Sequence, residues 1–136
     1  PDANTPVSME EAQVYQSAFS LIQNKKYSDA VDALNNYLKK YPNGKYEVNV
    51  HYWLGEIYAI SGKSNLATSE FNTVVTKFPN SNKVSDAMFQ LGSMAYDQSQ
   101  WDQAKQWWQK IVTQFSQTNA AQMANQRLQQ LQREGH

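Results

Sequence analysis

Acid–base or metal chemistry in this chain would have to pass through His51. The other histidine is His136, at the last position, and there is no cysteine. One imidazole cannot build a zinc site of three or four ligands, and thiolate catalysis and disulfides are excluded outright. Nothing in the 136 residues resembles a Gly-rich phosphate loop, a His-Glu cluster or a nucleophile motif. His51 directly precedes Tyr52-Trp53, where the plain reading is a half-buried or solvated helix residue. No catalytic residue, metal or cofactor is therefore expected. Carboxylates offer a different chemistry. Glu10, Glu11, Glu47, Glu56, Asp86 and Asp97 stand among aromatic residues, a mixture suited to holding a cationic side chain of a partner.

Twelve Lys and Arg balance twelve Asp and Glu, so no global field draws the chain to nucleic acid or an anionic membrane. No stretch approaches the roughly 18 apolar residues that a membrane-spanning helix needs. Lys25-Lys26 and Lys39-Lys40 fall at helix ends and turns, where cations complement the helix dipole and are ordinarily solvated. The chain opens on Pro1 without a Met or a leader-type segment, which reads as a processed or excised fragment.

The elements that must position these residues are written three times. Ala30, Ala67 and Ala104 recur every 37 residues, as do Leu34, Phe71 and Trp108, and Tyr41, Phe78 and Phe115, with Pro42 and Pro79 following the aromatics. A fixed period of this size marks a stack of small units that share a core. Within each unit the apolar residues return at helical spacing, twice, with a break between. The spacing predicts helices over 9–24 and 28–40, through Tyr52 to Ile60 and 65–77, and over 84–98 and 101–114. Ser61-Gly62-Lys63 and Pro79-Asn80-Ser81 are breaks. A last helix over 119–133 puts Ala120, Ala124, Leu128 and Leu131 on one side and Gln and Arg on the other. That is how a stack closes its exposed end. Residues 1–8 read as linker, the repeats as about 11–47, 48–84 and 85–118, and the cap as 119–133.

This pattern resembles the tetratricopeptide repeat. Its small, small, aromatic and proline positions match here as Gly55, Ala67, Phe71 and Pro79, then as Gly92, Ala104 and Trp108. The first copy has Ala18, Ala30, Leu34 and Pro42. Departures are Ser17 where the other copies have Leu54 and Leu91, Ala95 in place of Tyr58, and Ser116 in place of proline. The implied fold is all-α: three helix-turn-helix repeats and a capping helix in a right-handed superhelix of seven helices. The long turns, in YPNGKYEVNVHYWLGEIYAISGK and FPNSNKVSDAMFQLGSMAYDQ, are similar to the C-terminal tetratricopeptide domain of the cell division coordinator family (CpoB, or YbgF) of the bacterial Tol-Pal system, over about residues 9–132. The resemblance implies a periplasmic, non-catalytic module. In that family a signal peptide and a trimerising N-terminal coiled coil precede the domain. Its partner is TolA, and it coordinates peptidoglycan synthesis by a bifunctional penicillin-binding protein with outer-membrane constriction. The related long-turn assembly lipoprotein BamD implies the alternative, a structural subunit of an envelope assembly complex.

In arrays of this type the first helices of the pairs line a concave groove. All six acids named above lie in those helices, and no Lys or Arg does, so the groove is expected to be acidic. Counted from the matching glycine, its lining residues are Tyr15 and Phe19, Asn49, Tyr52 and Glu56, then Asp86, Phe89, Ser93 and Tyr96. Each aromatic can serve either as inter-repeat core or as ligand surface. The Lys, Asn and Arg of a two-carboxylate clamp are absent from these positions, so an EEVD-type tail is not the expected ligand. Trp107, whose counterparts are Ala33 and Glu70, either packs on the last helix or marks a contact on the convex face. Neither nucleic acid nor membrane insertion is expected.

Overall fold

A computed structural model describes residues 8–136. Seven helices follow in order: α1 (Met9–Gln23), α2 (Tyr27–Lys40), α3 (Glu47–Ile60), α4 (Ser64–Lys77), α5 (Val84–Asp97), α6 (Trp101–Gln114) and α7 (Asn119–Arg133). There is no strand among the described residues. Residues 1–7 of the expected linker lie outside the described residues. Its last residue, Ser8, belongs to the fold instead: its side chain accepts the Glu11 N–H at 3.0 Å and caps α1. The spacing Ser8-x-x-Glu11 is that of a capping box. Thr118 does the same for α7, accepting from Ala121 N at 3.1 Å.

The hairpin turns repeat in atomic detail. Lys25, Gly62 and Ser99 occupy one register and all have positive φ, 60°, 75° and 60°. After each, a backbone N–H reaches back over the helix end: Lys26 to Leu21 O, Lys63 to Tyr58 O and Gln100 to Ala95 O, at 2.9, 2.8 and 2.8 Å. These are Schellman closures, which turn the chain straight into the next helix.

The crossing inside each pair explains the small residues. A Cβ on Gly55 would stand 2.6 Å from the Phe71 ring, and one on Gly92 would stand 2.4 Å from the Trp108 indole. Where the second helix offers only Leu34, the first can carry Ala18; both are fully buried. An exchange of charge ties the ends of the same pairs. Lys40 bonds Glu10, and one repeat later Lys77 bonds Glu47 at 2.6 Å. Glu47 is only 6% exposed.

Two core clusters result. One joins α1, α2 and the Val50, Leu54, Ile57 side of α3; the other joins α4, α5, α6 and α7. Tyr58 packs against both. Helix α5 is the most deeply embedded element, with Val84, Ser85, Ala87, Met88, Leu91, Gly92 and Ala95 all buried.

Candidate partner-binding site

The inner faces of α1, α3 and α5 carry a nearly continuous aromatic strip. Tyr15 stacks on Tyr46 at 4.4 Å between centroids and lies 6.2 Å from Phe19. Phe19 meets Trp53 edge-on at 5.6 Å, and Trp53 meets Tyr52 at 5.5 Å. Further along, Phe89 lies 6.0 Å from Trp108, whose indole N–H donates to the Phe89 carbonyl at 3.3 Å. Tyr15 on Tyr46 and Phe19 on Trp53 bridge the first pair to the second, whereas Phe89 and Trp108 pack α5 on α6 within one pair. Tyr15 is buried, so it serves as core. Tyr52, Phe89 and Tyr96 are half-buried and show part of a ring to the groove.

Charge in the groove departs from the acidic expectation. Half of the six acids are engaged within the fold: Glu10 with Lys40, Glu47 with Lys77, and Glu11 with Tyr37 Oη (3.0 Å) and the Lys45 N–H (2.9 Å). Two cations meanwhile enter from other elements. The Lys83 ammonium lies 5.0 Å from the Tyr52 ring and 5.8 Å from Trp53; the Arg127 guanidinium of α7 lies 4.5 Å from Tyr96 and 4.9 Å from Trp108. The physical reason is reach. A turn or cap residue with a long side chain can lay its charge on a helix face to which it does not belong.

At the centre of the groove sits Glu56. Burial, and then the Asp86 carboxylate, push its carboxyl above the usual range, against hydrogen bonding from Tyr52 and the charge of Lys83. Its Oε1 is buried without a hydrogen-bond partner. Burial and the same two carboxylates push the Tyr52 hydroxyl up as well. An acceptor held in this state is costly unless something arrives to donate to it. Asn49 and Ser93, half-buried, complete this stretch. At the far end the groove is closed by the protein itself: Tyr96 Oη donates to Glu134 (2.7 Å to Oε1) and accepts from Gln130 Nε2 (3.2 Å), while His136 stacks on Trp101 at 3.7 Å. Tyr96 and the exposed Asp97 thus stand at a covered end, and Glu56, Asp86, Ser93, Tyr52 and Phe89 form the open part.

Spacing alone missed Trp53, Lys83 and Arg127. One signal could have found two of them: Trp53, Gln90 and Arg127 share a register at the same 37-residue step. His51 is accounted for by packing, with Nδ1 2.7 Å from Glu70 Oε2 and Nε2 3.6 Å from Glu47. It pins α3 to α4. Trp107 lies away from the groove, at the lip of a cleft between α4, α5 and α6.

A family model described as outer membrane lipoprotein (YfiO) matches residues 7–134. The chain belongs to this family. Within the YfiO-type frame it is similar to the cell division coordinator CpoB of Pseudomonas putida, with 44% identity over 52 residues, 38% of this chain and 19% of that protein. The CpoB of Escherichia coli (strain K12) is 38% identical over 58 residues, 41% of this chain and 22% of that protein. The matched part is thus about a fifth of those relatives' length. In fold the chain is similar to the Sgt2 TPR domain of Aspergillus fumigatus, with a TM-score of 0.71 and 18% identity over 98% of this chain and 84% of that one. The expected tetratricopeptide architecture and the resemblance to the CpoB repeat domain both stand on these matches. No helix among the described residues is long and apolar enough to cross a membrane.

Proposed function

We propose that this domain is a non-catalytic adaptor of the periplasm that binds a Lys-bearing segment of TolA in its groove, and so helps to couple peptidoglycan synthesis to outer-membrane constriction during division. The observation that carries the reading is the unpartnered Glu56 Oε1 beside Asp86, on a strip of half-buried rings. A partner ammonium would satisfy that oxygen. Tyr52 and Phe89 would grip its aliphatic stem and neighbouring apolar residues. Lys83, already over Tyr52, would have to give way, which lowers net affinity and makes recognition selective. The similarity to cell division coordinators supports the pathway, and a bifunctional penicillin-binding protein is then the second protein that the whole assembly would address.

Titration of a TolA fragment at low and high salt tests this. Tyr52→Ala and Phe89→Ala should each weaken binding by tenfold or more, mainly through faster dissociation, because buried aromatic anchors are worth about 2 kcal/mol. Glu56→Gln with Asp86→Asn should act chiefly on association and flatten the salt dependence. Full affinity in well-folded groove variants would reject the site. The family description as outer membrane lipoprotein favours a second reading, a structural subunit of an envelope assembly complex. That reading predicts contacts through the convex face, with no loss from groove variants.

A further inference from the structure

We propose that the cleft on the side of α5 turned away from the groove is a second docking site, and that it receives a short extended segment of a partner protein anchored by one tyrosine-sized side chain.

The repeat supplies its own comparison. A cleft at the same registers occurs twice, once between α2, α3 and the turn after α3, and once between α4, α5 and α6. Register by register, Val31 becomes Thr68, Tyr58 becomes Ala95, Ser61 becomes Gln98 and Lys63 becomes Gln100. The first cleft is about 290 Å³ and the second about 530 Å³. The decisive change is Tyr58 to Ala95. In the earlier unit the chain packs a phenol ring there against both core clusters. In the later unit only a methyl group remains, over a floor of Leu91 and Met94. What the molecule places in the first cleft identifies what fits the second.

The walls identify the rest of the ligand. On α4, Asn65, Thr68 and Asn72 line the cleft at positions i, i+3 and i+7; on α6, Gln103, Gln106 and Lys110 do so at the same spacing. Such spacing forms a rail along one helix face. Seven residues of helix rise about 10 Å, the length of roughly three residues of extended chain. Side-chain amides both donate and accept. They therefore match a backbone whose N–H and C=O groups are free, as in an extended segment, whereas a helix has already spent most of its own. Charge points the same way. No carboxylate lines the cleft and one ammonium, Lys110, stands in it, so the segment is neutral or carries an acid beside the anchor. It is therefore distinct in chemistry from the cationic segment proposed for the groove. Trp107 stands at the lip, where the earlier copies have Ala33 and Glu70, so the repeat does not demand an indole there. It supplies a flat wall for the anchoring ring.

The test uses the whole chain and the blocked peptide acetyl-Ser-Ala-Tyr-Ala-Asp-amide, followed by amide and indole shifts in NMR. Saturable shifts should centre on Thr68, Met94, Ala95 and the Trp107 indole, and the peptide with Gly in place of Tyr should give none. Ala95→Tyr refills the hole with the preceding unit's residue and should abolish binding. Trp107→Glu, again that unit's residue, should weaken it tenfold or more; either variant suffices if the other misfolds. Tyr52→Ala in the groove should leave cleft binding unchanged. The proposal is overturned by no saturable shift up to roughly 10 mM peptide, by equal binding of the Gly peptide, or by binding that survives Ala95→Tyr. A neutral trisaccharide of N-acetylglucosamine that saturates the same residues where the peptide does not would overturn it in favour of a glycan site.

Discussion

Gly92→Ala sets two well-known effects against each other, and the structure decides between them. Gly92 lies inside α5, where replacing glycine by alanine ordinarily gains about 1 kcal/mol of helix propensity. Here the added Cβ would meet Trp108 Nε1 at 2.4 Å, Cδ1 at 2.7 Å and Cε2 at 2.8 Å, against a comfortable separation of about 3.5–4.0 Å. The indole must move by about an ångström to recover ordinary contact. It is fully buried and its N–H donates to the Phe89 carbonyl, so a shift must displace packed neighbours and stretch that bond. Overpacking of this kind costs about 1–3 kcal/mol. Weakening the indole hydrogen bond adds about 0.5–1.5 kcal/mol. After the propensity gain is subtracted, the net loss is about 0.5–3.5 kcal/mol, or a melting temperature lower by several degrees at the middle of that range. Urea unfolding followed by the helical signal at 222 nm and by indole fluorescence measures it. If Gly92→Ala matched or exceeded the wild type in midpoint with an unchanged slope, the close crossing of α5 and α6 would be refuted.

Two further perturbations follow from the charges. Lys77→Met should cost about 1–3 kcal/mol, because it strips the main partner from the buried Glu47, whereas Lys40→Met breaks a pair exposed on both sides and should leave the urea midpoint close to that of the wild type; parallel urea curves compare them. Glu56→Gln should raise stability at pH 7 by about 1 kcal/mol, since it removes a charge from a buried oxygen without a partner. The sign follows from linkage: the folded-state pKa of Glu56 lies above its ordinary value, so its stabilising protonated form is present below that value and is lost as pH rises through the folded pKa. The advantage of Gln should therefore shrink toward zero as pH falls below about 4.5, and an advantage that is flat with pH would show that the carboxyl is not strained by burial.

Much of this architecture was legible because the punctuation is local. Breaks at Gly62 and at Pro79-Asn80 ended helices where the pattern placed them, and α4 to α7 begin or end within a residue of the expected positions. The first linker was read one residue too long because Ser8, isolated, resembles its polar neighbours until its oxygen is seen on the Glu11 N–H. The groove was legible in its rings and not in its charge. Sorting acids by helix could not show that Glu10 and Glu47 turn outward to lysines 30 residues on, nor that Lys83 and Arg127 reach inward. Both facts depend on side-chain direction, which helix spacing does not specify for long flexible residues. Ala95 was visible as a departure from Tyr58, yet its consequence is a volume, and volumes belong to the packed assembly.

Comparison among the three copies separates packing from recognition more sharply than burial does. Ala30, Ala67 and Ala104 never vary and are fully buried, so that register answers to the helix crossing. The register of Phe19, Glu56 and Ser93 varies from ring to carboxylate to hydroxyl, and its middle member alone leaves a buried oxygen unsatisfied. Nothing in the crossing requires a carboxylate there. The register of Leu21, Tyr58 and Ala95 shrinks at the last unit, where the cleft is larger. Glu56 lies on α3 and Ala95 on α5, whose seven buried residues give the later cleft a firm base. A repeat protein can differentiate its faces in this way because each unit is held by its own crossing. A residue exchanged at a register outside that crossing changes what the surface recognises while the stack beneath it keeps its geometry.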